Sequence, residues 1–313
     1  MTAARKPDPI IGDNFVIDVT DDAVADGRAG VVERAAPVSN GTTPATPVTP
    51  AAAGAGPDGQ AEGDDLVIDL RDLAPSGRSI AGDAGTAGRS GRPPDLLPHH
   101  HLVQITGGDA WMKAEAFVYD IYLKLGYTAE SSRSQVEELA RFHDYSRFFA
   151  VVDEDDRVIG TIRAIYGEFE DLPVGKFTRV DFEDQGAMCE LSSIVVDPSV
   201  RSIGIIEHLY REGWADATRS GCSAITGLGE KWLLDAFRDT YGLPFVPVGQ
   251  PKYYMGGDVI PMIMTNNVDA MHEICRCNPG YLGWNMEALT DDELDQFGFA
   301  EVARLARRTA GSV

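Results

Sequence analysis

From Trp111 to Leu125, apolar residues recur at helical spacing (Trp111, Ala114, Phe117, Val118, Ile121, Tyr122, Leu125) and stop at Gly126, which predicts an amphipathic helix. Val136 to Phe142 predicts a second, short helix. Phe148 to Val152 is a continuous apolar run of strand length. The polar turn Asp153–Arg157 joins it to Val158–Ile165, which predicts a hairpin. Cys189–Val196 predicts a third strand, stopped by Asp197 and Pro198. Then come a helix from Ile205 to Ser220, a short strand at Ser223–Thr226 and a helix from Lys231 to Tyr241. Phe245–Val248 and Val259–Met264 are expected to complete the sheet, and Glu293–Arg308 to form a last amphipathic helix. Antiparallel strands followed by strand–helix–strand–helix predict an α+β fold, with a mixed, mostly antiparallel sheet flanked by helices.

Composition separates residues 1–97 from this pattern. They are rich in Ala, Gly, Pro, Asp and Thr, as in Gly41–Pro50 and Ala51–Gly56. Such stretches bury too little apolar surface to offset chain entropy, so a disordered extension over 1–97 is expected to precede a folded domain over 98–313. Two islands interrupt it. Val16-Ile17-Asp18 and Val67-Ile68-Asp69 sit in matching apolar runs, each followed by a Gly-Arg pair (Gly27-Arg28 and Gly77-Arg78). A repeated strand-prone motif in a polar tail suggests two copies of a peptide that docks on the sheet edge of a partner. The alternatives are a chance pair or a strand that packs on the protein's own domain.

The chain of 313 residues carries 27 Lys+Arg against 49 Asp+Glu, a formal net charge of -22. That balance argues against general nucleic-acid binding, which needs a basic face to neutralise phosphates. No run of about 18 apolar residues predicts a membrane span, and no secretory signal precedes the polar N-terminus, so a cytoplasmic protein is expected. Four cysteines are too few for a disulfide framework. His99-His100-His101 and Cys275-Arg276-Cys277 lack companion ligands, and no metal site is expected.

The order of the elements carries the functional signal. Val195 and Val196 end a strand, and Asp197–Gly204 lead directly into a helix beginning at Ile205. Backbone N–H groups at such a helix start are unpaired and favour anions. Arg201 adds charge, and Gly204 admits a close approach. The spacing Arg201-x-x-Gly204 resembles the acyl-donor loop of the GCN5-related N-acetyltransferase superfamily, with Ile206 departing from the small residue usual there. Upstream, several pieces appear in sequence: Leu125-Gly126-Tyr127; Asp144 before Phe148-Phe149; Gly160-Thr161-Ile162-Arg163; Leu172-Pro173; and Glu190-Leu191-Ser192-Ser193. Their order resembles acyl-homoserine-lactone synthases and, more closely, long-chain N-acyl amino acid synthases. Ser193 stands where the lactone synthases have Arg, and their upstream acidic pair is reduced to Asp144. Both departures argue against lactone formation.

The resemblance implies acyl transfer from a thioester to a primary amine such as an amino acid. It implies acyl carrier protein or CoA as the donor's carrier and no tightly bound cofactor. Amide formation requires a base for the amine, a donor for the developing oxyanion and a proton for the leaving thiolate. Glu190 is the expected base and Tyr241 the expected proton donor, with Tyr253 and Tyr254 as rivals. Asp144, Arg163 and Ser192 are expected at the acceptor. Val195, Val196, Arg201, Ser202, Ile203, Gly204 and Ile205 are expected at the acyl donor. Arg163, a cation in an apolar strand, needs a partner: Glu190, Asp144 or an acceptor carboxylate. Cys189 is expected to be core filler, since adjacent strand residues face opposite ways. Arg201, Arg211, Arg219 and Arg238 are candidates for a patch that docks an acidic carrier protein. Tyr253–Met255 and Met262–Met264 are candidates for lining an acyl tunnel. The runners-up are an acetyl-CoA-dependent N-acetyltransferase and a non-catalytic protein that senses acyl thioesters.

Overall fold

A computed structural model of the protein describes residues 91–179, 186–200 and 204–311. The Val16–Asp18 and Val67–Asp69 motifs, Arg201, Ser202 and Ile203 lie outside the described residues. The chain enters its sheet at β1 (His101–Ile105), crosses one face as α1 (Gly108–Lys124) and makes the short α2 (Glu137–Ala140). α1 stops where the sequence predicts: Gly126 adopts φ 73°, and Tyr127 N–H reaches back to Tyr122 O at 2.8 Å. β2 (Ser146–Val152) and β3 (Val158–Gly167) form the expected hairpin. Its turn is held by Asp153 Oδ1, which accepts from the N–H groups of Asp155 and Arg157.

β4 (Met188–Val196) leads to α3 (Ile205–Arg219), then β5 (Ala224–Gly229) and α4 (Lys231–Asp239). β6 is reduced to Val246–Pro247, while β7 (Lys252–Tyr254) and β8 (Gly257–Thr265) form a hairpin. Four helices close the chain: α5 (Val268–Cys277), α6 (Pro279–Met286), α7 (Asp291–Gln296) and α8 (Ala300–Ala310). The strand order is β1-β2-β3-β4-β5-β8-β6, with β7 beside β8. β4 and β5 are the parallel neighbours; the other pairs are antiparallel. The fold is α+β with a mostly antiparallel sheet between helices. No described helix is long and apolar enough to cross a membrane.

Each face of the sheet carries its own core. On one, Trp111, Ala114 and Val118 of α1 pack against Phe148, Ala150 and Ile165. On the other, Leu209, Tyr210 and Trp214 of α3 pack against Phe149, Ile162 and Leu191, and α5 to α8 cover the remainder. The sequence pattern missed β1, β7, α5 and α6. It also predicted one helix over Glu293–Arg308, which is two. A Thr290–Glu293 capping box starts α7, and the chain turns at Gly298, φ 75°, before α8.

Residues 91–97, placed by composition in the extension, cross from α6 to α3. Arg92 pairs with Glu287 at 2.9 Å, and Pro94 O meets His208 Nε2 at 3.0 Å.

α3 sits tightly on β3. A Cβ on Gly160 would lie 2.6 Å from Ile205 Cγ2 and 3.3 Å from Leu209 Cδ1. Gly160→Ala should therefore lift the start of α3 and cost about 1–3 kcal/mol. Urea unfolding should recover part of that loss in the double variant Gly160→Ala/Ile205→Ala, because the two sites share one contact.

Candidate active site

β4 and β5 are hydrogen-bonded only from Met188–Glu190 to Ala224–Thr226. Beyond Glu190 and Thr226 the strands part, and each holds to its outer neighbour: β4 to β3 and β5 to β8. A one-residue bulge drives β4 away. Thr161 pairs with Val195 and Arg163 with Ser192, so β4 spends three steps where β3 spends two. Ser193 takes up the extra residue at φ 50°, and Thr161 Oγ1 donates to its carbonyl at 3.1 Å. The inner edges of the fork lack strand partners, leaving backbone groups to face the gap.

The gap is a cavity of about 220 Å³ with mostly apolar walls, lined from both faces of the sheet. Tyr210, Phe237, Tyr241 and Phe245 line it on the α3 and α4 side. Tyr122, Leu139, Pro173 and Tyr254 line it on the α1 side. Glu190 stands at the apex, 1% exposed. It shares a face with Ile165, its partner on β3, and accepts one hydrogen bond, from Val174 N–H at 2.7 Å. Burial pushes its carboxyl up to about 8, against the pull of that N–H and of Lys176.

The fork gathers only part of the predicted set. Ser192, Val195, Val196 and Tyr241 line the cavity with Glu190. Arg163 does not. It is 2% exposed, donates from Nε to Ser146 Oγ (3.0 Å) and from Nη2 to Leu139 O (3.1 Å), and lies 3.7 Å from Glu115. Its guanidinium also sits over the Trp111 and Phe148 rings. Its ion-pair partner is thus Glu115, not Glu190 or Asp144, and it pins α2 to the sheet. Asp144 faces solvent, 87% exposed, beside His143.

Ile205 places its side chain in the core rather than at a donor. Gly204 caps α3 at φ 77°, and the close approach it permits here is to Pro94, whose atoms lie 3.0 Å from the position of a Cβ. Tyr241 Oη donates to Glu207 at 3.0 Å, so its proton is already engaged. Cys189 is fully buried core, as expected. Of the arginines considered for carrier docking, Arg219 is bound to Glu293 and Ala288 O, and Arg211 stacks over Trp284. Among the described residues no group of three His, Cys, Asp or Glu side chains is placed to hold a metal.

Three cavity residues escaped the sequence reading. Tyr210 is buried, and its hydroxyl has no hydrogen-bond partner among the described residues. Glu230 accepts from Tyr127 Oη (3.2 Å) and Trp232 Nε1 (2.9 Å). Tyr122 faces Ser193 across the bulge. Tyr210 and Tyr122 fall at helical core spacing, which disguises them as packing. Glu230 carried a usable signal: an acid directly after a strand and before a helix.

Residues 116–231 match the acetyltransferase (GNAT) family. This span runs from α1 to the first residue of α4 and contains both strands of the fork, so the matched part of the fold is GNAT-like. Among solved structures, the CoA-dependent acyl-homoserine lactone synthase BjaI aligns at 14% identity and TM-score 0.46, over 66% of this chain and 98% of its own. FeeM, an N-acyl amino acid synthase from uncultured soil microbes, aligns at 14% and 0.43, over 58% and 96%. No curated protein matches the chain.

The burial of Glu190 has a measurable cost. Its folded pKa, about 8, lies above the ordinary value of 4.5, so the native state holds the proton more tightly than the unfolded chain does. The contribution of this group to stability therefore falls as pH rises from about 4.5 to about 8. Glu190→Gln should be close to wild type in stability at pH 5 and more stable by about 3–5 kcal/mol at pH 9, read by denaturant unfolding at the two pH values.

Proposed function

We propose that the protein is an N-acyltransferase that moves a fatty acyl group from a CoA or carrier-protein thioester to a primary amine, an amino acid being the favoured class. The observation that carries this reading is Glu190: a buried carboxyl at the apex of the fork, lining a cavity walled from both faces of the sheet. A base with a pKa near the working pH suits proton removal from an attacking amine. The thioester enters from the side of the α3 N-terminus, whose free N–H groups favour the anionic groups of a donor. The acyl chain occupies the apolar cavity. At about 220 Å³ it exceeds the ~150 Å³ of an engineered apolar cavity that accepts benzene, and so favours chains longer than acetyl.

In the reaction the amine nitrogen attacks the thioester carbonyl, and a C–N bond forms. The carbonyl oxygen takes up negative charge against an N–H on the unpaired edge of β4. Glu190 accepts the proton that the nitrogen loses. As the carbonyl re-forms, the C–S bond breaks, and the thiolate takes a proton from Tyr210, whose hydroxyl has no other partner. Tyr241, with its proton engaged by Glu207, shapes the wall beside it. The products are an amide and a free thiol, and proton exchange with solvent returns Glu190 to the carboxylate and Tyr210 to the phenol.

The test is mass-spectrometric detection of N-acyl products when the purified chain is given long-chain and acetyl thioesters with pooled amines. Long-chain amides support the reading, acetyl products alone replace it with an acetyltransferase, and no product from a folded sample ends it. With a productive pair in hand, kcat/KM should climb with pH to a plateau above about 8, where Glu190 is ionised. Glu190→Gln should lower it by about 10²–10⁴-fold and abolish that limb, and Tyr210→Phe should lower kcat by about tenfold or more.

A further inference from the structure

Three cations gather at the α1-side mouth of the cavity. Lys176 ends the turn Pro173–Lys176, the same turn whose Val174 N–H holds Glu190. Lys176 Nζ donates to Oη of the cavity-lining Tyr254 at 3.1 Å and lies 4.9 Å from that ring's centroid. Lys252 Nζ reaches Lys176 O at 3.5 Å, with Phe177 beneath it at 5.5 Å. Arg141 lies over the Phe142 ring at 4.5 Å, two residues after cavity-lining Leu139.

Among the described residues, none of these three has a carboxylate within ion-pair distance, whereas Arg147, Arg157, Arg163 and Arg219 each have one. That is unusual in a chain with 49 acidic side chains against 27 basic ones. Burial first, then repulsion from Arg141 and Lys252, holds the Lys176 ammonium below its ordinary value, opposed by Glu138 and Glu190. Like charges held together beside a cavity, with flat aromatic rings and a phenol supporting them, lack a counter-ion that a ligand would supply.

We propose that Lys176, with Lys252 and Arg141 behind it, binds a carboxylate of the acceptor, so that the acceptor is an amino acid used as its anion. This rests on the reading of Glu190 as the base. The turn that positions Glu190 carries Lys176 two residues further on, and the amine and carboxylate of an α-amino acid are separated by a single carbon. An amine bound toward Glu190 therefore places its carboxylate toward Lys176. In the proposed reaction the acyl donor approaches from the α3 side, across the cavity from this cluster.

The test uses the full chain with a long-chain acyl-CoA and a set of amino acids, each paired with its own carboxamide. The expected result is a kcat/KM ratio of acid to amide of about tenfold or more, the worth of a hydrogen bond to a charged group. Lys176→Gln should reduce that ratio by about tenfold through the KM of the acid, Lys176→Arg should restore it, and the exposed α1 variant Lys113→Gln should leave it unchanged. Equal use of acid and amide by the wild type, or an equal loss for both in Lys176→Gln, overturns the proposal while leaving the acyltransferase reading intact. A loss confined to carrier-protein donors, whichever acceptor is present, overturns it in favour of a carrier-docking patch. Absence of product from every amine ends both readings.

Discussion

The parting of β4 from β5 after Glu190 is the constraint on which the rest of the site depends. A parallel pair normally continues until one strand ends, because leaving it early strands polar backbone groups. Here the departure is enforced rather than incidental. The bulge at Ser193 and the Thr161 hydroxyl on its carbonyl bind β4 to β3, while Gly229 stays paired with Ile260 on β8. The fork opens because each strand has a better partner on its outer side. A carboxyl at the apex is buried by the strands that still pair below it and faces the gap above.

α3 forms one wall of the fork. Its first turn is pressed on Gly160 and clamped from outside by Pro94, so the helix start is fixed beside the outer end of β4. On the opposite face, α1 and the Pro173–Lys176 turn build a second wall, and there the Lys176 ammonium stands beside Tyr254, whereas Phe237 and Phe245 stand with Tyr210 and Tyr241 on the α3 side.

Much of this was legible in sequence where one periodicity governs a segment. α1, α3 and the β2–β3 hairpin each bury one continuous face, and their apolar spacing states it. Reading failed where the chain turns between periodicities. The pattern from Glu293 to Arg308 stays amphipathic through Gly298, so the break between α7 and α8 is invisible to spacing. α5 and α6 were missed although each starts at an asparagine cap, Asn267 accepting from Ala270 N–H and Asn278 from Tyr281 N–H. At the site, an acid and a cation in apolar strands were both conspicuous, and pairing Glu190 with Arg163 was the economical reading. They do share a face, one step apart diagonally on neighbouring strands. The guanidinium is instead drawn toward the carbonyl of Leu139 in α2 and the hydroxyl of Ser146 at the start of β2. Which of several neighbours a long side chain reaches is the information that spacing lacks.

The placement of Arg163 decides the electrostatics of the fork. Had Arg163 paired with Glu190, the carboxyl would titrate low and serve as a fixed charge. With the arginine occupied by Glu115 and the α2 turn, Glu190 keeps a single backbone donor and a raised pKa. The chain thus holds a buried acid without a salt bridge, against the rule that governs buried charge elsewhere in its core. It also sets an unpaired lysine two residues beyond the N–H that holds that acid. Local rules broken in adjacent places, by groups of opposite sign around one cavity, mark positions shaped by what they bind more than by the fold they sit in. The left-handed conformation of Ser193 lies three residues beyond Glu190 on the same strand, where the backbone conformation that separates the strands also carries the cost of separating them.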